Sequence, residues 1–523
     1  MYPARPFSPQ RTTLKADAVP PSIALAGNLM NALLVYPRFP DTYWSFRYAL
    51  SFQGKRAAQP PLGLMTIAAL LPDTWDKRLI DTNVERLRDS DLAWADIVLL
   101  SSMHVQQEHL HSLVRRCRAR GLRTVVGGPI TSSLPAADIG ADHIVIGEAE
   151  TIVDDLVRDL ESGHAHPVYE AAERPSLERT PMPDFSLIRM NRYSTMTVQY
   201  SRGCPFNCEF CDIIEIYGRR PRIKLVAQVL AEFEQIYALG WRGPVFVVDD
   251  NFIGNKIRVR DLLAAIAAWQ RERGYPFRLI TEASLNLSDD PGLLQAMKGA
   301  GFASVFLGIE TPDESSLAAA NKHQNTRRDL LDSVAIIQSW GIEVMGGFIL
   351  GFDSDGEDIF DRLVDFIQKS AIPIAMVGLL QAIPGTQLHR RLTREGRILY
   401  DGGGNNTGCD LNFEPRMNPH RLIEGYRSVL RRIYSSEAYY ERVCAYLQRC
   451  RPHSRARINF ANLRALTLSL LRQGVLDRAR LSYWRFVLVA ATRYRRSFGA
   501  AMTMAVMGYH FQMITERLSR VEV

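Results

Sequence analysis

Three cysteines constrain this chain more than any other feature. The run Val198-Gln-Tyr-Ser-Arg-Gly-Cys-Pro-Phe-Asn-Cys-Glu-Phe-Cys-Asp212 sets Cys204, Cys208 and Cys211 in a C-x-x-x-C-x-x-C spacing, directly after an apolar strand-like stretch. Three soft thiolates on one loop containing glycine and proline can hold three irons of a four-iron, four-sulfur cluster, because thiolate is the ligand such clusters select. The fourth iron is then open. The spacing differs from the ferredoxin run, and no fourth cysteine lies nearby. Structural zinc is the alternative, but zinc usually takes four ligands in paired short spacings, and no second C-x-x-C or histidine pair accompanies this one.

These residues, with the aromatic Phe210 just before the last cysteine, resemble the radical S-adenosylmethionine (SAM) superfamily. The resemblance implies that SAM chelates the open iron through its amino and carboxylate groups. It also implies one-electron reduction by an external donor and cleavage to a 5'-deoxyadenosyl radical.

A chain of 523 residues is too long for one ordinary core, so two or three domains are expected. No segment approaches the eighteen or so uninterrupted apolar residues of a membrane span. Residues 1–30 lack a basic start followed by a long apolar run and read as a loose N-terminal extension with no export signal. Seven cysteines is an odd number, and a cluster motif suits a reducing compartment, so the expected location is cytoplasmic. Cys117 falls on a helix face with Leu110, Leu113 and Val114, which points to packing. Cys409, Cys444 and Cys450 have no ligand-like spacing, although Cys409 ends the flexible-looking run Gly402-Gly-Gly-Asn-Asn-Thr-Gly-Cys409.

Residues 31–160 alternate strands and helices, with strand candidates at 31–36, 78–81, 96–102, 123–126 and 143–146. Such alternation implies a doubly wound, Rossmann-like parallel sheet whose ligands sit beyond the carboxyl ends of its strands. Ser101, Met103, His104, Gly127, Gly128, Gly147 and Glu148 lie at those ends. With the cysteine motif downstream, the arrangement looks like the cobalamin-binding domain that precedes the radical SAM domain in one large subfamily, and it resembles hopanoid methylases among them. The resemblance implies cobalamin contacts at Ser101, Met103, Gly127, Gly128, Gly147 and Glu148. The Asp-x-His-x-x-Gly signature of histidine-ligated cobalamin is absent. Either the cobalt lower face has no histidine ligand, or the fold has been kept and the cofactor lost; His104 is the nearest histidine candidate.

Residues 161–190, with Pro167, Pro175, Pro181 and Pro183, read as a linker. Across 191–390 six strand-like runs each precede a helical pattern, at 197–200, 245–248, 278–281, 304–307, 344–350 and 376–380. Six units predict a partial (β/α)6 TIM-like radical SAM barrel, with its site at the carboxyl ends of the strands. SAM carries an ammonium, a carboxylate, a ribose diol and an adenine, and so needs an acidic or carbonyl acceptor, a donor and an apolar slot. Candidate SAM contacts are Phe210, Asp249, Ser284, Glu310, Gly347, Gly351 and Gln381, with Asp250 and Glu282 alongside. Glu310 resembles the acidic position on strand four of the superfamily. Gly347-Phe-Ile-Leu-Gly351 resembles its adenine-contacting pattern, with Asp353 and Asp355 on either side of the usual acidic place.

Residues 391–523 read as a helical C-terminal region. From 451 to 523 there are 13 arginines, no lysine and 3 acidic residues, a balance of +10 that leaves −3 for the remainder of a +7 chain. Arginine-flanked apolar helices suit an anionic membrane surface on the inner face, or packing against the barrel with a basic face exposed. No nucleic-acid-reading module is present, and none is expected as partner. The reading predicts a cobalamin-dependent radical SAM methyltransferase acting on an unactivated carbon of a small-molecule, hydrophobic or secondary-metabolite substrate, with a lipid as one option. The alternatives are a radical SAM oxidase, cyclase or carbon-carbon bond-forming enzyme without methyl transfer, and a non-catalytic iron-sulfur redox sensor.

Overall fold

The structure is a computed structural model that describes residues 29–402, 404–405, 407–451 and 460–520. Most of the expected N-terminal extension therefore lies outside the described residues. Two parallel six-stranded sheets dominate the fold. The first comprises β1 (Asn31–Tyr36), β2 (Asp76–Asp81), β3 (Ile97–Ser101), β4 (Arg123–Gly127), β5 (His143–Ile146) and β6 (Val168–Glu170), in the order β2-β1-β3-β4-β5-β6. Its central strands are continuous apolar runs because both faces are covered. Along β1, Leu34 joins the core that holds Leu64 and Met65, while Leu33 and Val35 face Leu110, Leu113, Val114 and Cys117. Cys117 is fully buried there, a packing residue.

The sixth strand was not anticipated. It falls in the stretch read as a linker, where Pro167 leaves its carbonyl free to accept from the amide of Ile144 (2.8 Å) before Val168 joins the sheet edge. Pro is tolerated at such an edge because the amide it lacks would have faced away from the ladder.

The second sheet comprises β7 (Met196–Val198), β10 (Pro244–Val247), β11 (Arg278–Ala283), β12 (Phe302–Glu310), β13 (Glu343–Leu350) and β14 (Ile374–Leu379), all parallel and in chain order. This is the expected open (β/α)6 barrel. Between β7 and β10, β8 (Ser201–Arg202) pairs antiparallel with β9 (Arg222–Ile223), so a short ribbon closes the base of the cysteine loop.

Helices Pro419–Ile433, Ser436–Cys450, Phe460–Leu471, Arg480–Arg493 and Phe498–Ser519 follow. They are fastened to the barrel by buried tyrosines: Tyr434 Oη donates to the carbonyl of Ala375 on β14 (2.6 Å), and its ring stacks on Phe511 at 4.9 Å. The last helix also reaches the N-terminal half, where His510 meets the carbonyl of Tyr43 at 3.1 Å and Phe511 packs on the Tyr43 ring. Packing of the tail is thus realised, and it joins both halves.

Candidate active site

The carboxyl ends of the two sheets face each other. Past β5, Glu148 binds both Arg202 and Arg222 of the ribbon at 2.6 Å, and Glu150 binds Arg202 at 2.8 Å. All four side chains are mostly buried. Past β3, His104 lies beside Gly404, and past β4, Ser132 approaches Gly385 in the loop that follows β14. Glu148 was expected to face cobalamin; instead both its oxygens are held by guanidinium groups, so here it ties the first sheet to the cysteine loop.

The cysteine loop is positioned from below by two adjacent carboxylates. Asp249, 1% exposed, accepts from the amide of Tyr200 (2.8 Å) and the hydroxyl of Ser201 (2.7 Å); Asp250 accepts from the amide of Gly203 (2.8 Å). Burial pushes Asp249 up to about 6 and Asp250 to about 7. Asp249, expected at SAM, therefore has both oxygens engaged by the strand that leads into the loop. Glu282, at the end of β11, is raised to about 8 by burial and by the charges of Asp250 and Asp249.

Two amides point at the thiols. Asn251 Nδ2 lies 3.9 Å from Cys204 Sγ and 3.2 Å from Ser284 Oγ, and Gln324 Nε2 lies 3.6 Å from Cys208 Sγ. Ser284 is thereby linked to the cysteine loop through Asn251, and its own hydroxyl bonds Asn286 at 2.7 Å. Among the described residues no three His, Cys, Asp or Glu side chains converge on one ion-sized point.

Glu310 owes its position to a bulge. Gly308 pairs with Gly347 and Glu310 with Phe348, so Ile309 is the extra residue, and Glu310 takes a left-handed φ of +68°. Asn325, 1% exposed, holds the bulge by donating to the carbonyls of Gly308 and Ile309 (3.0 and 3.2 Å). The carboxylate so turned accepts from Lys322 Nζ at 2.7 Å. A Cβ at Gly308 would stand 2.3 Å from Glu310 Oε1 and 2.9 Å from Lys322 Nζ, so a side chain there would displace the ion pair. Lys322, Gln324 and Asn325 escaped the sequence reading; their signal was the polar run Asn321-Lys-His-Gln-Asn325 in the loop after β12 and its short helix.

The two aspartates flanking the expected acidic place are both accounted for. Asp355 accepts from the amides of Gly351 (2.8 Å) and Phe352 (3.1 Å), shaping the turn after β13, while Asp353 pairs with Arg397 (2.6 Å) and Arg391 (2.9 Å). Phe210 meets Phe352 edge-on at 6.1 Å, in an apolar group with Ile349, Leu380 and Ala382. Gln381 donates to the carbonyl of Asp410 at 2.8 Å, and Gly347 lies beside the ring of Phe306. A cation, carboxylates, amides and an apolar group therefore gather at the carboxyl ends of the barrel strands, around the cysteine loop.

On the facing edge, Ser101 and Gly127 end β3 and β4, Gly128 and Gly147 directly follow β4 and β5, and Met103 is 46% exposed. Gly128 has φ +90°, and a Cβ there would come within 2.7 Å of Ser101 Oγ, so the β3 and β4 ends are drawn tightly together. His104 Nε2 is taken by Ser133 Oγ, and its buried Nδ1 has no partner among the described residues.

Comparison with known proteins agrees with the geometry. The B12 binding domain family matches residues 57–157, the radical SAM superfamily residues 198–367, and a domain family of unknown function residues 386–522. The chain is 40% identical over 494 residues to an uncharacterized methyltransferase of Synechocystis sp., covering 93% of this chain and 92% of that one. It is 34% identical over 504 residues to the hopanoid C-2 methylase of Rhodopseudomonas palustris, covering 93% and 94%. Among solved structures, the cobalamin-dependent SAM radical enzyme OxsB with aqua-cobalamin and SAM bound aligns with a TM-score of 0.59 at 16% identity, over 94% of this chain and 80% of that one. The radical SAM methyltransferase TsrM from Kitasatospora setae, with cobalamin and a [4Fe-4S] cluster bound, aligns at 0.53 and 15%, over 76% and 85%. The chain belongs to the cobalamin-dependent radical SAM methyltransferases, the family of the hopanoid methylases, and its cofactors are a [4Fe-4S] cluster, SAM and cobalamin.

Proposed function

We propose that this methyltransferase acts on an unactivated carbon of an apolar, polycyclic lipid of the hopanoid class, drawn from the inner face of a membrane. The observation that carries the reading is the confrontation of the two carboxyl edges. When bound, the cluster and SAM supply a 5'-deoxyadenosyl radical and cobalamin supplies the methyl group. The chain's own work is placement. Cys204, Cys208 and Cys211 hold the cluster. Lys322 offers a cation to the SAM carboxylate, Glu310 and Ser284 offer acceptors, and Phe210 with the β13 segment Gly347–Gly351 forms the apolar slot. Ser101, Met103, Gly127, Gly128 and Gly147 line the cobalamin edge. The buried Glu148, Glu150, Arg202 and Arg222 group keeps the two edges in register and helps exclude water from the space between them.

Two observations support a lipid substrate. One is the relationship to the hopanoid C-2 methylase over almost the whole chain. The other is the hairpin of helices Phe460–Leu471 and Arg480–Arg493, which exposes Leu471, Val475, Leu476, Leu481, Trp484 and Leu488. The two arms meet where the Trp484 indole donates to the carbonyl of Gly474 at 2.9 Å. Arg478, Arg480 and Arg485 are exposed around this apolar tip and have no acidic partner among the described residues. Among the described residues no helix is long and apolar enough to cross a membrane, so contact of this kind would be interfacial. The test is anaerobic reconstitution with a hopanoid in mixed micelles. A product heavier by one methylene, formed with S-adenosylhomocysteine and 5'-deoxyadenosine, is expected. Formation of 5'-deoxyadenosine without a methylated hopanoid would exclude this substrate class.

A further inference from the structure

We propose that the outer surface of the cysteine loop, rimmed by Arg219, Arg220 and Arg394, docks an acidic single-electron carrier protein. The proposal rests on the radical SAM reading, which requires one electron to reach the cluster from outside. The loop reaches the exterior: Pro205, Phe206 and Asn207 are half-buried, as are the thiol-bearing Cys204 and Cys211, while Cys208 is buried.

Two clefts flank this loop. One, of about 740 Å³, is lined by Glu209 of the loop and by Gln387, His389, Arg390, Arg391 and Arg394. The other, of about 370 Å³, runs along Pro205 and Phe206 to Lys256. The wall of the first cleft is rigidly joined to the loop. The amide of Leu388 donates to the carbonyl of Glu209 (2.9 Å), Gln387 Nε2 to Asn207 Oδ1 (2.9 Å), and Arg391 Nε to Glu209 Oε1 (2.5 Å). A partner seated against helix Gln387–Arg394 is therefore also seated against the loop.

The charges there divide into matched and unmatched. Arg390 is paired with Glu215 at 2.7 Å, Arg391 with Glu209 and Asp353, and His389 with Asp401 at 3.2 Å. Arg394, Arg219 and Arg220 are exposed and have no acidic partner among the described residues. Arg219 leans on the carbonyl of Pro205 (3.4 Å) and Arg394 lines the cleft beside Glu209, so the unmatched cations flank the loop instead of converging on one point. A small anion gains little from such a spread, whereas an acidic protein face is both steered and oriented by it. Nucleic acid fits less well, since no row of exposed aromatics accompanies the cations. The transfer balances simply: the reduced carrier loses one electron, the oxidised cluster gains it, and no proton or bond changes hands.

The experiment compares the reconstituted full chain with a variant carrying Arg219→Glu, Arg220→Glu and Arg394→Glu, using an acidic flavodoxin as carrier. Affinity for the oxidised flavodoxin is measured by titration calorimetry at two salt concentrations, and 5'-deoxyadenosine formation is measured with either reduced flavodoxin or dithionite. The expected result is a loss of roughly tenfold or more in flavodoxin affinity and in flavodoxin-driven cleavage, with a flattened salt response. Dithionite-driven cleavage should be unchanged, which also reports an intact fold. A control with Arg485→Glu and Arg493→Glu, on the helical hairpin, should bind flavodoxin as the parent does. Equal flavodoxin affinity in parent and triple variant, or equal loss in the control, would overturn the proposal. Failure of dithionite to drive cleavage in the parent would instead count against the radical SAM reading.

Discussion

Lys322 and Glu310 form an ion pair of 2.7 Å whose two side chains are 12% and 9% exposed, and the same ammonium faces the cysteine loop. Burial works against the charge on Lys322. Glu310, Cys208 and Cys211 outweigh it and hold the lysine above its ordinary range. Removing one partner of such a pair leaves the other charge buried alone, which costs about 3 kcal/mol or more. Lys322→Met and Glu310→Gln should each lower the unfolding free energy by that order, and the double variant should recover most of it. SAM binding, followed by equilibrium dialysis, should not recover in the double variant. If it does, the pair is structural and has no part in holding SAM.

The pair also marks where sequence reading reached its limit. Cys204, Cys208 and Cys211 were legible because their spacing is local, and eleven strands were legible because buried parallel strands are short apolar runs. Glu310 was recognisable, but its partner lies beyond an intervening helix, in a polar run with no spacing rule. Glu148 and Asp249 were correctly placed at strand ends, yet what they bind there is protein: Arg222, 74 residues away, and the strand that enters the cysteine loop. Position at a strand end is a local property, whereas the choice between a ligand and a distant guanidinium is made by tertiary packing. Asp353 and Asp355 illustrate the same limit, one paired with Arg397 and the other holding the turn after β13.

Glu282 carries a pH signature. Its folded value of about 8 lies well above the ordinary 4.5, so between those values the folded chain holds a proton that the unfolded chain has lost. Stability from this group is fully present below about pH 4.5 and is lost as the pH rises through 8, at up to about 1.4 kcal/mol per unit. Asp250 and Asp249, raised to about 7 and 6, contribute the same sign over lower windows. Glu282→Gln should therefore match the parent near pH 5 and exceed it in melting temperature at pH 8. A difference that does not grow with pH would show that Glu282 titrates normally.

Arg202 joins the two halves by meeting Glu148 at 2.6 Å and Glu150 at 2.8 Å. In Arg202→Met, Glu148 keeps Arg222, but Glu150 loses its cation and retains the hydroxyl of Thr180 at 2.9 Å. The loss should reach about 3 kcal/mol. Because the pair spans the facing edges, the variant should also become sensitive to proteolysis between residues 161 and 190 and lose cobalamin affinity, read by absorbance titration. Glu150→Gln, which removes the charge and keeps the shape, should restore stability in the Arg202→Met background. Unchanged cobalamin affinity in Arg202→Met would separate the ion pairs from the geometry of the cofactor edge.

The hairpin tip tests the membrane reading directly. Leu476 and Leu481 are 71% and 80% exposed, and a soluble surface gains nothing from presenting them beside Trp484. Inserting a leucine into an acyl boundary is favourable by about 1.5–3 kcal/mol, and each arginine near an anionic surface adds about 1 kcal/mol. The full chain should float with vesicles containing anionic lipid and remain behind with neutral ones. Leu476→Glu together with Leu481→Glu should abolish flotation. Melting temperature should hardly move, because substitutions at exposed positions usually shift stability by less than about 0.5 kcal/mol. Arg478→Glu with Arg480→Glu should instead weaken flotation in proportion to the anionic fraction, since those groups act through charge and not insertion. Flotation that survives both pairs of substitutions would place the membrane contact elsewhere on the chain.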